Sequence, residues 1–97
     1  MTQIMVTSSR KAAVLPLIQA ALRTELGVIA TGIRRTQARL HQFEQRYGYS
    51  TEQLLANEAA QTVDDNSLDV IEWLGESRML ARLQAEYREL TEIEICS

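Results

Sequence analysis

The chain has 97 residues, 45% of them apolar, with four Gly, one Pro and one Cys. That length limits it to one domain, and the low Gly and Pro content with abundant Leu, Ala, Glu, Arg and Gln calls for an almost all-helical protein. A single Cys, at position 96, excludes an internal disulfide framework and any multi-cysteine zinc site. The net charge of −3 conceals an asymmetry: residues 1–47 carry seven basic and two acidic side chains, residues 48–97 three basic and eleven acidic ones.

The N-terminal "MTQIMVTSSRK" lacks the long apolar core of a secretory signal, and residues 1–10 are expected to be an extended or flexible tail. No window of eighteen uncharged apolar residues follows, so the expectation is a cytoplasmic protein without a membrane span. Within the tail, "TQIMVT" alternates as a short strand would. A ribbon–helix–helix DNA binder begins this way, but its helices are much shorter than the one that follows here.

From Ala12 a heptad places Ala12, Gln19, Leu26, Ile33, Leu40 and Tyr47 at a, and Leu15, Leu22, Ile29, Thr36 and Phe43 at d. Nine of these eleven are apolar, which predicts a coiled-coil-like helix. Pro16 suits a first turn, so the main helix is expected to start near it and to run to Tyr47, with an earlier turn after Ser8 or Ser9. Gly27 and Gly32 lie inside it, where glycine costs about 1 kcal/mol against alanine, and close approach of another helix is the expected reason.

"RYGYSTEQLL" is a corner. Gly48 suits the left-handed position just past a helix end, and Tyr49 after it is placed to pack back on Phe43 or Glu44. Ser50 and Gln53 form a capping box, and Tyr49 and Leu54 a hydrophobic staple, opening a short helix from about Thr51 to Ala60.

"QTVDDNS" is a second loop in which Asp65, Asn66 or Ser67 caps a third helix of about 25 residues, with Asp69 and Glu72 in its first turns. Trp73, Leu80 and Tyr87 recur at seven-residue intervals, as do Leu83 and Leu90. The predicted architecture is therefore all-α, one domain over 1–97. A long helix, a short connecting helix and a returning long helix form an antiparallel coiled-coil-like hairpin. Surplus apolar positions, Ile18, Val28 and Ile29 among them, predict a homodimeric bundle. Leu22, Leu26, Ile29, Ile33, Leu40, Phe43, Leu80, Leu83, Tyr87 and Leu90 would supply its core and dimer seam.

Catalytic chemistry finds little support. His41 is the one histidine, and no nucleophile stands at a recognised spacing from it. Asp69, Glu72 and Glu76 share a helical face, but without a histidine beside them they read as dipole compensation rather than a metal cage. No enzyme activity, cofactor or metal is expected. Arg34, Arg35, Arg39 and Arg46 lack interleaved aromatics, which weighs against nucleic acid as a partner. Matching of the basic first helix with the acidic third accounts for both halves of the charge asymmetry.

"RRTQARLHQFEQRYGYSTEQLL" and "DDNSLDVIEWLGESRMLARL" resemble a group of small helical proteins of cyanobacteria, other bacteria and archaea. Their pattern is a long helix ending Phe-Glu-x-x-Tyr-Gly, a serine-capped helix, and an acidic turn leading into a Glu-Trp helix. Phe43, Glu44, Tyr47, Gly48, Ser50, Asp64, Asp65, Asp69, Glu72 and Trp73 occupy those places, within a match over residues 20–90. The resemblance implies a noncatalytic, antitoxin-like protein from a two-gene toxin–antitoxin-like module, binding a protein encoded nearby. Asp64, Asp65, Asp69, Glu72 and Trp73 are its expected partner contacts. The alternatives are a DNA-binding regulator using the N-terminal segment and the arginines, or a homo-oligomeric scaffold.

Overall fold

The heptad stripe over 12–47 and the apolar set over 68–93 fold into two long helices joined through a short one. A computed structural model describes residues 8–59 and 68–96, with side chains over 12–57 and 68–94. Helix α1 spans Ser8–Tyr47, α2 Thr51–Ala59 and α3 Leu68–Cys96. The "TQIMVT" segment and the caps expected at Asp65, Asn66 or Ser67 lie outside the described residues.

α1 begins at Ser8, not near Pro16, so Ser8–Arg10 are helical and not part of a tail. Pro16 sits inside the helix, where it withholds one N–H from the backbone ladder. The flanking Ala12, Ala13, Leu15 and Leu17 are strong helix formers and carry the helix through that gap.

α3 returns antiparallel along α1. Arg46 meets Asp69, Arg39 meets Glu72, and Gly32 faces Leu83, so residue numbers rise on one helix as they fall on the other. Forty residues at the helical rise make α1 about 60 Å long. The molecule measures 60 × 27 × 20 Å, and its radius of gyration of 19.4 Å is that of a rod. A compact chain of this length would have about 12.5 Å.

The core sits at one end. Leu40, Phe43, Leu54, Val70, Trp73 and Leu74 form one buried cluster, with Tyr49 and Leu80 packed on it. Leu54 and Trp73 are completely buried, and burying a leucine contributes roughly 1.5–3 kcal/mol. Helix α2 is what closes this end, since Leu54 is its contribution. Leu80 is half-buried at the edge of this cluster; beyond the reach of α2, Ile29 and Thr36 are buried, and Leu22, Leu26, Ile33, Leu83 and Leu90 are half-buried. Thr36 stands at a heptad d position and satisfies its hydroxyl by donating to the Gly32 carbonyl at 2.8 Å. Tyr87, expected in the core or the dimer seam, is 37% exposed in the single chain. By the Gly32–Leu83 register, α1 presents Gly27 and Val28 opposite it, and glycine offers it no side chain to pack on.

One expectation about the membrane changes. Within Ala12–Tyr47 is a window long and apolar enough to cross a bilayer by length and composition, and almost none of it is buried in the protein. Arg23 and Glu25 are the only charged residues between Lys11 and Arg34, so a strict requirement for uncharged residues overlooks it.

Candidate functional site

The corner is built from local signals. Gly48 takes φ +76°, and its N–H donates to the Glu44 carbonyl at 2.9 Å, the left-handed stop expected of a helix end. Ser50 then starts α2: its Oγ accepts from the Gln53 N–H at 3.1 Å, while the Gln53 Oε1 accepts from the Ser50 N–H at 2.8 Å. This is a closed capping box. Tyr49 and Leu54 meet in the same apolar cluster, as a staple should. Tyr49 packs back on the cluster that holds Phe43, with its ring against Trp73 and Tyr47 at centroid distances of 5.1 and 6.5 Å. The indole arriving from α3 is the larger apolar surface.

Trp73 is the centre of the site. Its ring stacks on Phe43 at 5.6 Å with an interplanar angle of 9°, and on Tyr47 at 5.8 Å. Its Nε1–H donates to Thr51 Oγ1 at 2.9 Å, and Thr51 Oγ1 donates to Glu44 Oε2 at 2.8 Å. The Thr51 backbone N–H donates to the same carboxylate oxygen, also at 2.8 Å. One carboxylate thus terminates the chain of polar groups from the buried indole and satisfies a free N–H in the first turn of α2. The Thr51 backbone N–H, then its hydroxyl, hold the Glu44 carboxyl below its ordinary range, against a smaller opposing effect of burial.

Charged groups line one face of this end. Arg39 reaches Glu72 at 3.1 Å and Glu76 at 3.9 Å, and Arg46 reaches Asp69 at 3.0 Å. Both guanidinium groups lie 5.8 Å from the centre of the Phe43 ring. The Tyr47 hydroxyl donates to the same Asp69 oxygen that Arg46 engages. These two donors, Tyr47 first, hold the Asp69 carboxyl below its ordinary range, and the bond to Asp69 raises the Tyr47 phenol. The basic–acidic matching of the two long helices is therefore made by named pairs.

These contacts sort the anticipated partner residues. Asp64 and Asp65 lie outside the described residues. Asp69 and Glu72 hold arginines of α1, and Trp73 is fully buried. Trp73 is thus core rather than a contact residue, because a side chain enclosed by three aromatics has no surface to offer. The signal missed is beside it. Leu68 is 81% exposed and Ile71 53% exposed, on the first turn of α3. Ile71 stands two residues before Trp73, nearly opposite it on a helix of 3.6 residues per turn. Its departure from the Trp73–Leu80 stripe is legible in the sequence.

His41 is exposed on α1, and among the described residues no group of three His, Cys, Asp or Glu side chains is placed to hold a metal ion. The recesses at this end are shallow. One, of about 390 Å³, is a surface hollow bordered by Glu44, Gly48, Tyr49, Ser50 and Gln53, all engaged in stopping or starting a helix. No protein-family model, curated protein or solved structure matches the chain.

Proposed function

We propose that the chain is a noncatalytic protein–protein interaction module, an antitoxin-like protein that binds and restrains a partner toxin encoded by a neighbouring gene. One observation carries the binding surface: Leu68 and Ile71 stand exposed within the acidic stretch from Asp64 to Glu72. An apolar pair rimmed by carboxylates suits a partner with a basic, nucleic-acid-handling surface, since apolar anchors supply affinity and the charges steer encounter. The rigid corner beneath supports this role, because the Trp73 stack and the capping box fix the helix bearing the pair. Asp69 and Glu72 lend negative potential to the rim while holding their arginines. The antitoxin-like character comes from the resemblance over residues 20–90.

Co-expression with the neighbouring gene provides the test. The two products should co-purify, and co-expression should relieve the growth arrest caused by the neighbour alone. Leu68→Glu with Ile71→Glu should abolish both effects while leaving the helical spectrum intact. A chain that emerges alone beside a neighbour harmless on its own sinks the proposal. Regulation through DNA is the weaker alternative, because Arg39 and Arg46 already hold carboxylates of α3. A salt-dependent gel shift on the upstream region would favour it instead.

A further inference from the structure

The open half of the hairpin carries a groove of about 480 Å³ between α1 and α3, distinct from the Leu68–Ile71 patch. Val28 and Met79 wall it, 60% and 42% exposed, and Gly32 and Leu83 lie along it. Its charges are unevenly placed. Arg35 stands toward the corner, and Glu86 and Glu25 stand toward the open end. Arg35 has no ion-pair partner among the described residues, and Glu86 has only a loose, exposed contact with Arg82 at 3.8 Å.

Register shows what this pattern fits. Gly32 lies against Leu83, 3.3 Å from its Cδ1 to where a Cβ would stand. Counting along the antiparallel helices, Met79 is then level with about residue 36 of α1, and Glu86 with about residue 29. Within one chain, Arg35 is therefore level with Met79, and Glu86 with Val28. Each charge faces an apolar neighbour, and the ladder of ion pairs that begins at Arg46 and Arg39 stops there.

We infer that this groove is the seat of a second copy of the chain, turned end for end about a two-fold axis lying across the helices at the level of Gly32. That one rotation brings Arg35 level with the second copy's Glu86, and Val28 level with the second copy's Met79. A self-complementary patch is what an isologous contact requires. The mismatched pairs within each chain become matched pairs between chains. A two-fold axis along the helices fails this requirement, because it keeps Arg35 level with Met79 and Glu86 level with Val28. The inference does not rest on the proposed toxin partner, which uses the other end of the molecule.

Sedimentation of the full chain tests it. Wild type should sediment at twice 11.0 kDa. Arg35→Glu and Glu86→Arg should each sediment as a folded monomer, with dimerisation weakened on the order of a hundredfold by the like charges brought together. Mixed in equal amounts, the two variants should recover a dimer containing one of each, because both cross-copy pairs are then opposite in sign. Val28→Gln provides a second route, reducing self-association without a charge reversal. A monomeric wild type, a dimer indifferent to either reversal, or a mixture that stays monomeric overturns the inference. So does a wild type that is monomeric in buffer and binds phosphatidylcholine–phosphatidylglycerol vesicles through this face, since α1 is also apolar enough to enter a bilayer.

Discussion

The two halves of the hairpin use the same pair of helices to opposite effect. At the corner, three helices meet, two side chains are completely buried, and the polar groups nearby find partners within the chain. Toward the other end, two helices run alone, and Leu17, Ile18, Val28, Tyr87 and Ile93 remain between 37% and 69% exposed. The heptad continues through both halves, so periodicity alone does not make a core. What differs is a third element to close the pair, and the size of the residues on α1: Phe43 and Leu40 at the corner, Gly27 and Gly32 beyond it. An apolar stripe is a capacity for packing. It becomes stability only where something is packed against it.

Removing the centre of the closed half should have the largest effect. Trp73→Ala deletes a fully buried ring, its three aromatic contacts and its bond to Thr51, and should cost about 3–5 kcal/mol in a urea titration. Tyr87→Ala at the open half should cost less than about 1 kcal/mol under the same conditions, measured below the concentration at which the chain self-associates. Equal costs would show that the halves are energetically alike and that the division is wrong. Next comes the turn that joins them. Gly48→Val places a β-branched residue at φ +76°, a conformation costing L-residues roughly 1–2 kcal/mol. The midpoint of thermal unfolding should fall by about 4–8 °C per kcal/mol for a domain of this size. An unchanged midpoint would mean that the chain can turn here without the left-handed glycine.

The same division explains what was legible in the sequence. The corner's backbone was readable because its signals are local: Gly48, Ser50 and Gln53 act within a few residues, and each did what its chemistry implies. The all-helical hairpin followed from the length of two periodic stretches. α1 starts earlier than Pro16 as a first-turn residue predicts, because the alanines and leucines around it carry the helix through. The chain of contacts from Trp73 through Thr51 to Glu44 was not readable. It joins residues 22 and 7 positions apart in sequence, and nothing in composition pairs a threonine with an indole. Trp73 is expected as a partner contact because of its acidic neighbours, yet it recurs in register with Leu80 and Tyr87, and its complete burial follows that register. Of the interaction surface, the acidic context and the departure of Ile71 from the Trp73–Leu80 stripe were legible, whereas the exposure of Leu68 required the direction of α3 relative to α1.

A smaller contrast lies in two glycines one and a half turns apart. A Cβ at Gly27 would meet nothing within 4 Å, so Gly27→Ala should stabilise the monomer by about 0.5–1 kcal/mol through helix propensity. A Cβ at Gly32 would stand 3.3 Å from Leu83 Cδ1, which must shift by a few tenths of an ångström. Gly32→Ala should therefore gain less, and a gain equal to that at Gly27 would show that α1 and α3 are not closely apposed there.

The smallest effect separates the halves by pH. Glu44 and Asp69, both at the corner, have carboxyls held below their ordinary values of 4.5 and 3.8. A carboxyl depressed in the folded state adds stability that is fully present above its unfolded value and is lost as pH falls through its folded one. Acid should therefore loosen the corner, beginning near pH 4.5 and continuing below the ordinary Asp value. Glu44→Gln should flatten the upper part of that fall, since the amide oxygen still accepts from Thr51 but carries no charge to lose. Asp69→Asn should flatten the lower part. Because the Asp69–Arg46 ion pair is partly open to solvent and screened, the share of Asp69 should shrink further in high salt, while that of Glu44, fixed by a backbone N–H, should persist. Amide exchange read along the chain would locate the change: protection over 40–54 and 70–74 should fall with pH in this window. Loss confined to 17–35 would place the acid-sensitive contacts in the wrong half of the molecule.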